Sequence, residues 1–193
     1  MIVKMFVLTG FFSLYQTKNV FMPNLPLGEY RLVIDKVYPC ASMKNHPINY
    51  NLYLSKKTSS IKELKGNITY LIPLDDTLTL DANLASWGLT GGWIPNSYIV
   101  IKKKACSSIK NLFGNAWFAF IKDFNIPVDN CPLPLGTYIS SGLDLKKLED
   151  NNFPKVYFYG KYRLTVRLKN VEDKVVGCYV AEFNLIRPWE KPI

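Results

Sequence analysis

Thr77-Leu78-Thr79-Leu80-Asp81-Ala82-Asn83-Leu84 sets an apolar side chain at every second place, with Thr, Asp or Asn between. Successive side chains of a strand leave on opposite faces, so this stretch reads as a strand with one apolar face and one wet face. The same alternation recurs on both sides of it. Glu29 to Asp35 carries Tyr30, Leu32 and Ile34 on one face. Ile48 to Leu54 carries Ile48, Tyr50, Leu52 and Leu54, with Asn49 and Asn51 opposed. Asn67 to Ile72 turns Ile68, Tyr70 and Ile72 inward, and Tyr98 to Lys103 offers Ile99 and Ile101. Tyr162, Leu164, Val166 and Leu168 alternate with Arg163, Thr165, Arg167 and Lys169. The last run supplies Val175, Tyr179, Ala181, Phe183 and Leu185, and polar Asn170 to Lys174 reads as the hairpin turn before it. Strands with one apolar face must bury those faces against each other, which predicts a mainly β chain built as an antiparallel sandwich or barrel.

One segment changes period. Between Cys106 and Phe124 the apolar positions are Ile109, Leu112, Phe113, Ala116, Trp117, Phe120 and Ile121. Steps of three and four mark an amphipathic helix near 106–122. Gly114 in its middle costs about 1 kcal/mol against Ala and predicts a kink or break there. Pro127, Pro132 and Pro134 then exclude regular structure. Two stretches read as loops: Ser86 to Asn96, with Gly88, Gly91 and Gly92, and Ser140 to Leu143.

Length and composition bound the function. The chain has 193 residues, 48% of them hydrophobic, which suits one globular domain with a sizeable core. A single His removes most zinc sites and every His-based relay beyond one. That residue, His46, sits beside Pro47 and reads as a loop residue. The acidic pairs Asp75-Asp76 and Glu149-Asp150 read as turn or cap residues, and neither a G-x-S-x-G nor an H-E-x-x-H motif occurs. The sequence therefore predicts no catalytic residue, no metal and no cofactor. The net charge of +9 is dispersed, its longest basic run being Lys102-Lys103-Lys104, and no nucleic-acid motif accompanies it. Nucleic acid is not an expected partner. Transient contact with an anionic membrane surface is compatible with this charge.

The chain begins with Lys4 and then an apolar stretch, Met5 to Tyr15. It is shorter than the roughly 20 residues of a membrane span and fits a secretory signal. Residues 1–18 are read as that signal, and 19–193 as one domain. Cys40, Cys106, Cys131 and Cys178 make an even count, as in exported chains, and allow three disulfide connectivities. Asn67-Ile68-Thr69 is a glycosylation sequon.

Several motifs then converge. Cys131-Pro132 leads into Gly136-Thr137-Tyr138; Gly160-Lys161-Tyr162-Arg163 opens a strand; Gly177-Cys178 stands early in the return strand. This order resembles the ganglioside-activator branch of the ML lipid-recognition domains, especially its secreted arthropod relatives. The resemblance is carried by Cys106 to Leu185. It implies an immunoglobulin-like cup of two antiparallel sheets, disulfides Cys40–Cys178 and Cys106–Cys131, and an apolar cavity holding a lipid or hydrocarbon without catalysis. The implied walls are Tyr50, Leu52, Ile68, Tyr70, Leu80, Leu84, Ile99, Ile101, Trp117, Phe120, Leu164 and Phe183. The implied mouth carries Trp87, Leu89, Trp93, Ile94 and Leu143. It further implies a secreted or lysosomal location, a chemosensory role, and a receptor or lipid hydrolase as partner. The competing expectation is an extracellular protein-interaction module with a filled core.

Overall fold

Apolar faces set the strand registers. The computed structural model describes residues 26–41, 46–58 and 61–190. The expected signal at 1–18 lies outside them. In chain order the elements are β1 (Leu27–Glu29), β2 (Arg31–Pro39), β3 (Ile48–Lys56), β4 (Lys62–Tyr70), β5 (Thr79–Trp87) and β6 (Trp93–Lys103). Then come α1 (Ala105–Phe113), α2 (Ala116–Asp123), β7 (Gly136–Asp144), a 3-10 turn at Leu145–Leu148, β8 (Val156–Phe158), β9 (Gly160–Lys169) and β10 (Val175–Ile186). Leu80, Ala82 and Leu84 of β5 lie opposite Leu168, Val166 and Leu164 of β9. Val166 and Leu164 in turn face Tyr179 and Ala181 of β10. A slip of one residue anywhere would turn these apolar rows to solvent, so burial fixes the pairing.

The strand order is β6-β5-β9-β10-β3-β4-β7, with β2 also on β10 and β1 paired with β8 apart from the rest. What folds this sheet into two layers is its central join. Strand β10 pairs with β2 from Tyr179 to Ile186, but meets β3 only at Gly177, opposite Ile48. From that point β3, β4 and β7 leave as the second layer. Glycine is required there, since a Cβ on residue 177 would stand 2.9 Å from the Cβ of Ile48. The Cys40–Cys178 disulfide lies beside this join, and Cys106–Cys131 ties α1 to the proline-rich segment. Both bridges are those the family resemblance implies.

The layers bury Ile48, Ile68, Tyr70, Leu80, Val166, Leu168 and Val176 in one cluster. Among the described residues β6 pairs only with β5 and β7 only with β4. The helices span this unpaired flank: α1 packs on β5 and β6, α2 on β7. The result is the expected mainly β sandwich. Its helical segment is broken, as its sequence predicts, at Gly114, where φ is +55°. The first turn of α1 has no cap from its own preceding side chain. Asp76 supplies one instead, accepting from the Ser107 N–H at 2.9 Å and its hydroxyl at 2.6 Å. These bonds hold the Asp76 carboxyl below its ordinary pKa. The Asp75-Asp76 pair is therefore structural.

Three expectations are corrected. Of the loop expected over Ser86 to Asn96 only 88–92 lie outside strands: Ser86 and Trp87 end β5, and Trp93 to Asn96 open β6, because the two strands stay paired up to Trp87 opposite Trp93. Ser140 to Leu143 is not a loop but part of β7, and Leu143 is fully buried opposite Leu64. Ile99 and Ile101 do not face the interior. They lie opposite Asn83 and Asp81 on the outward face of β6, 49% and 64% exposed.

Candidate functional site

Burial of the inner faces is graded from one end of the sandwich to the other. Near the join Ile48, Ile68, Tyr70, Leu80 and Leu168 are all but sealed. Toward the opposite end, on the same inward parity, Leu32, Ile34, Leu52, Leu54, Leu64, Leu84, Leu164 and Phe183 are only partly buried, while Tyr162, Leu185 and Leu143 there remain buried. At the join β2 and β3 both flank β10, whereas toward the far ends of β3 and β10 no strand pairing links the layers among the described residues. The gradient follows from that geometry. Ten of the twelve expected wall residues lie on inward strand positions or on α2, with Trp117 sealed and Phe120 half-buried. The exceptions are Ile99 and Ile101. The sequence reading left Leu32, Ile34, Leu54, Leu64 and Tyr179 off the site, although all but Leu64 and Tyr179 belong to alternating faces legible in strands β2 and β3.

The far end has a polar and aromatic rim. Lys56 and Lys62 are register partners at the ends of β3 and β4. The Lys62 ammonium donates across to the Ile34 carbonyl at 3.1 Å, linking the second layer to β2. The β1–β8 pair also stands here, because β2 and β9 both start at this end. It exposes Leu27, Val156 and Phe158, and the Tyr159 hydroxyl donates to the Glu29 carbonyl. No expectation covered this flap, although the apolar density of Phe153 to Tyr159 marks it in the sequence.

The expected mouth residues divide. Leu89 stands fully exposed at the tip of the β5–β6 hairpin, and Ile94 is exposed beside it. Trp87 and Trp93 are paired across the same hairpin, with ring centroids 5.0 Å apart. They lie on the outer face, where Arg163 sits 4.1 Å over the Trp93 ring and Lys161 lies 5.4 Å from the Trp87 ring. These tryptophans are thus engaged with cations outside the sandwich. Leu143 is core, as above.

Arg163 continues into a part-buried ion pair. Its Nη2 and Nε donate to Glu182 Oε1 at 2.8 and 3.0 Å, and the Tyr38 hydroxyl donates to the same oxygen at 2.7 Å. Burial raises the Glu182 pKa, but these donors outweigh it and leave the carboxyl below its ordinary value. A depressed carboxylate stabilises the fold above its unfolded pKa, about 4.3, and that contribution is lost as pH falls through the lower native value. Glu182→Ala is expected to cost about 2 kcal/mol at pH 7, the size of a lost charged hydrogen-bond set. Urea unfolding at pH 7 and pH 3 checks it: the gap to the parent should shrink at pH 3, and a pH-independent gap contradicts the assignment.

Asn67 lies mid-strand in β4 on the outward face, opposite Asn51 and Ile139. The His46 carbonyl accepts from Asn49, a local loop contact. Asp150 supports the start of α2 by accepting from the Ala116 N–H and from Asn115. An open depression of about 670 Å³ lies beside α2, lined by Ile121, Ile126, Pro127, Val128, Asp129 and their neighbours. None of the expected wall residues lines it, and it belongs to the outer shoulder, not to the space between layers. No group of three His, Cys, Asp or Glu side chains among the described residues is placed to hold a metal. No family model matches the chain, and neither does any curated protein.

Proposed function

We propose that the chain is a secreted, non-enzymatic protein that holds a lipid or other long apolar molecule between its two layers, the apolar part inside and a polar part at the rim. The observation that carries this reading is the gradient of inner-face burial. A filled sandwich seals its inward side chains along the whole strand, whereas here Leu32, Ile34, Leu52, Leu54, Leu64, Leu84 and Leu164 stay partly exposed toward the far end, where Leu143, Tyr162 and Leu185 are the buried ones. Burying a sixteen-carbon chain against such a face offers about 10 kcal/mol before ordering costs, at about 0.8 kcal/mol per methylene. The lysines at the rim suit an anionic headgroup or membrane surface. The two disulfides fit an oxidising compartment, and no described helix is long and apolar enough to cross a membrane.

Native mass spectrometry after gentle purification tests the reading. Retained lipid, or binding of a fluorescent fatty acid at micromolar concentration, is expected. A clean apo mass together with indifference to such probes defeats it. That second outcome favours the interaction-module reading, for which the exposed Ile99 and Ile101 on the outer face of β6 are the supporting observation.

A further inference from the structure

The join between the layers is floored by tyrosines. Tyr50 lies two residues beyond Ile48 on β3, Tyr179 two residues beyond Gly177 on β10, and Tyr70 opposite Ile48 on β4. All three are on inward positions. The Tyr50 and Tyr179 rings are 4.9 Å apart, from opposite layers, and Tyr70 packs on Tyr138 at 5.9 Å. Tyr70 is 2% exposed.

Their hydroxyls combine an inward position with the lack of a protein partner. Tyr30, Tyr38, Tyr138, Tyr159 and Tyr162 each place the hydroxyl on a named oxygen. Among the described residues Tyr50, Tyr70 and Tyr179 place theirs on none. Yet no fully enclosed side-chain oxygen or nitrogen of the described residues lacks a partner. The three hydroxyls are therefore not sealed off, with Tyr70 buried and Tyr50 and Tyr179 partly buried. A hydroxyl on an apolar wall with no protein partner is satisfied only by water or by a polar guest.

We propose that Tyr50, Tyr70 and Tyr179 form a polar floor that hydrogen-bonds a neutral oxygen group, an alcohol, aldehyde, ketone or ester, at the inserted end of the bound molecule. This rests on the lipid-holding reading above and specifies its ligand class. Neutrality follows from the surroundings. The inward neighbours Ile48, Leu52, Ile68, Val166 and Ala181 are apolar, and among the described strand residues no cation takes an inward position near the join. A carboxylate there has no counter-charge. Burial holds the phenols in their protonated form: Tyr50 and Tyr70 titrate well above the ordinary range, and Tyr179 is pushed up to about 12. They are hydrogen-bond partners at physiological pH, not bases. A site built to bond an oxygen discriminates strongly against the analogue without one.

The test uses the full mature chain at pH 7, with displacement of N-phenyl-1-naphthylamine by hexadecane, 1-hexadecanol, methyl palmitate and palmitate. The alcohol and the ester are expected to bind at least tenfold tighter than the alkane, and palmitate no tighter than the ester. In Y50F/Y70F/Y179F the oxygenated ligands should lose that advantage while the alkane stays within twofold. Equal binding of alkane and alcohol by the parent protein means that the floor is merely hydrated, and overturns the proposal while leaving the cavity reading intact. Tighter binding of palmitate overturns the neutral class. Failure of every ligand, the naphthylamine included, overturns both readings. The comparison within the parent protein stands even if the triple variant does not fold; Y179F alone then replaces it, with a reduced alcohol preference expected and an unchanged one counting against the floor.

Discussion

Replacing Cys40 and Cys178 by alanine is expected to lower the unfolding free energy by about 5 kcal/mol, and replacing Cys106 and Cys131 by about 3.5 kcal/mol. The sequence separations are 138 and 25 residues, and the cost of closing a loop grows with the logarithm of its length. The gap of about 1.5 kcal/mol is the firmer quantity, because both pairs share the same reference chain. Position adds to it. The first bridge stands beside Gly177 and Ile48, where the two layers meet, whereas the second fastens a helix to a loop at the flank. Guanidinium unfolding of the two double variants decides the matter, and a larger loss from the Cys106–Cys131 pair contradicts the argument.

Trp117→Ala should cost about 4 kcal/mol, at the upper end of core truncations. The indole is 1% exposed, and its Nε1–H donates to the Asp129 carbonyl at 2.7 Å. It also stacks in an aromatic row with Phe120 and, through it, Phe124. Truncation opens a cavity and leaves a half-buried carbonyl without its donor. Trp117→Phe keeps most of the volume and loses only the hydrogen bond, so about 1–2 kcal/mol is expected. Denaturation midpoints with unchanged m-values check both figures. Similar losses for Ala and Phe would mean that packing is not what Trp117 contributes.

Much of the fold was legible in alternation alone. Strands β3, β4, β5, β9 and β10 carry apolar residues at every second place, and burial converts that pattern into register. The helical segment and its break at Gly114 were equally plain. Strand β6 was not: Tyr98, Ile99, Val100 and Ile101 are consecutive apolar residues, so the pattern assigns no face. Its register with Asn83 and Asp81 decides, and sends the isoleucines outward. Strand β7 was obscured by Ser140, Ser141 and Gly142, poor strand formers that stay in line because the Ser140 hydroxyl donates to the Leu64 carbonyl at 2.8 Å. Trp87 and Trp93 were legible as costly residues at a turn, but their cationic partners come from β9, far away in sequence. The tyrosine floor was half visible: Tyr50 and Tyr70 were on the expected walls, yet only the crossing of β10 over β3 brings Tyr179 to them.

That crossing has a mechanical side. A hinge pinned at a single residue pair lets its two leaves swing without tearing either one. Because β10 pairs with β3 only through Gly177 and Ile48, and the other ties are side-chain contacts such as Tyr50 on Tyr179 and Lys62 on the Ile34 carbonyl, a change of gap at the far end would strain those contacts and leave the bonds within each ladder in place. Spacing at that end is thereby a matter of side chains, held apart from the hydrogen-bonded frame.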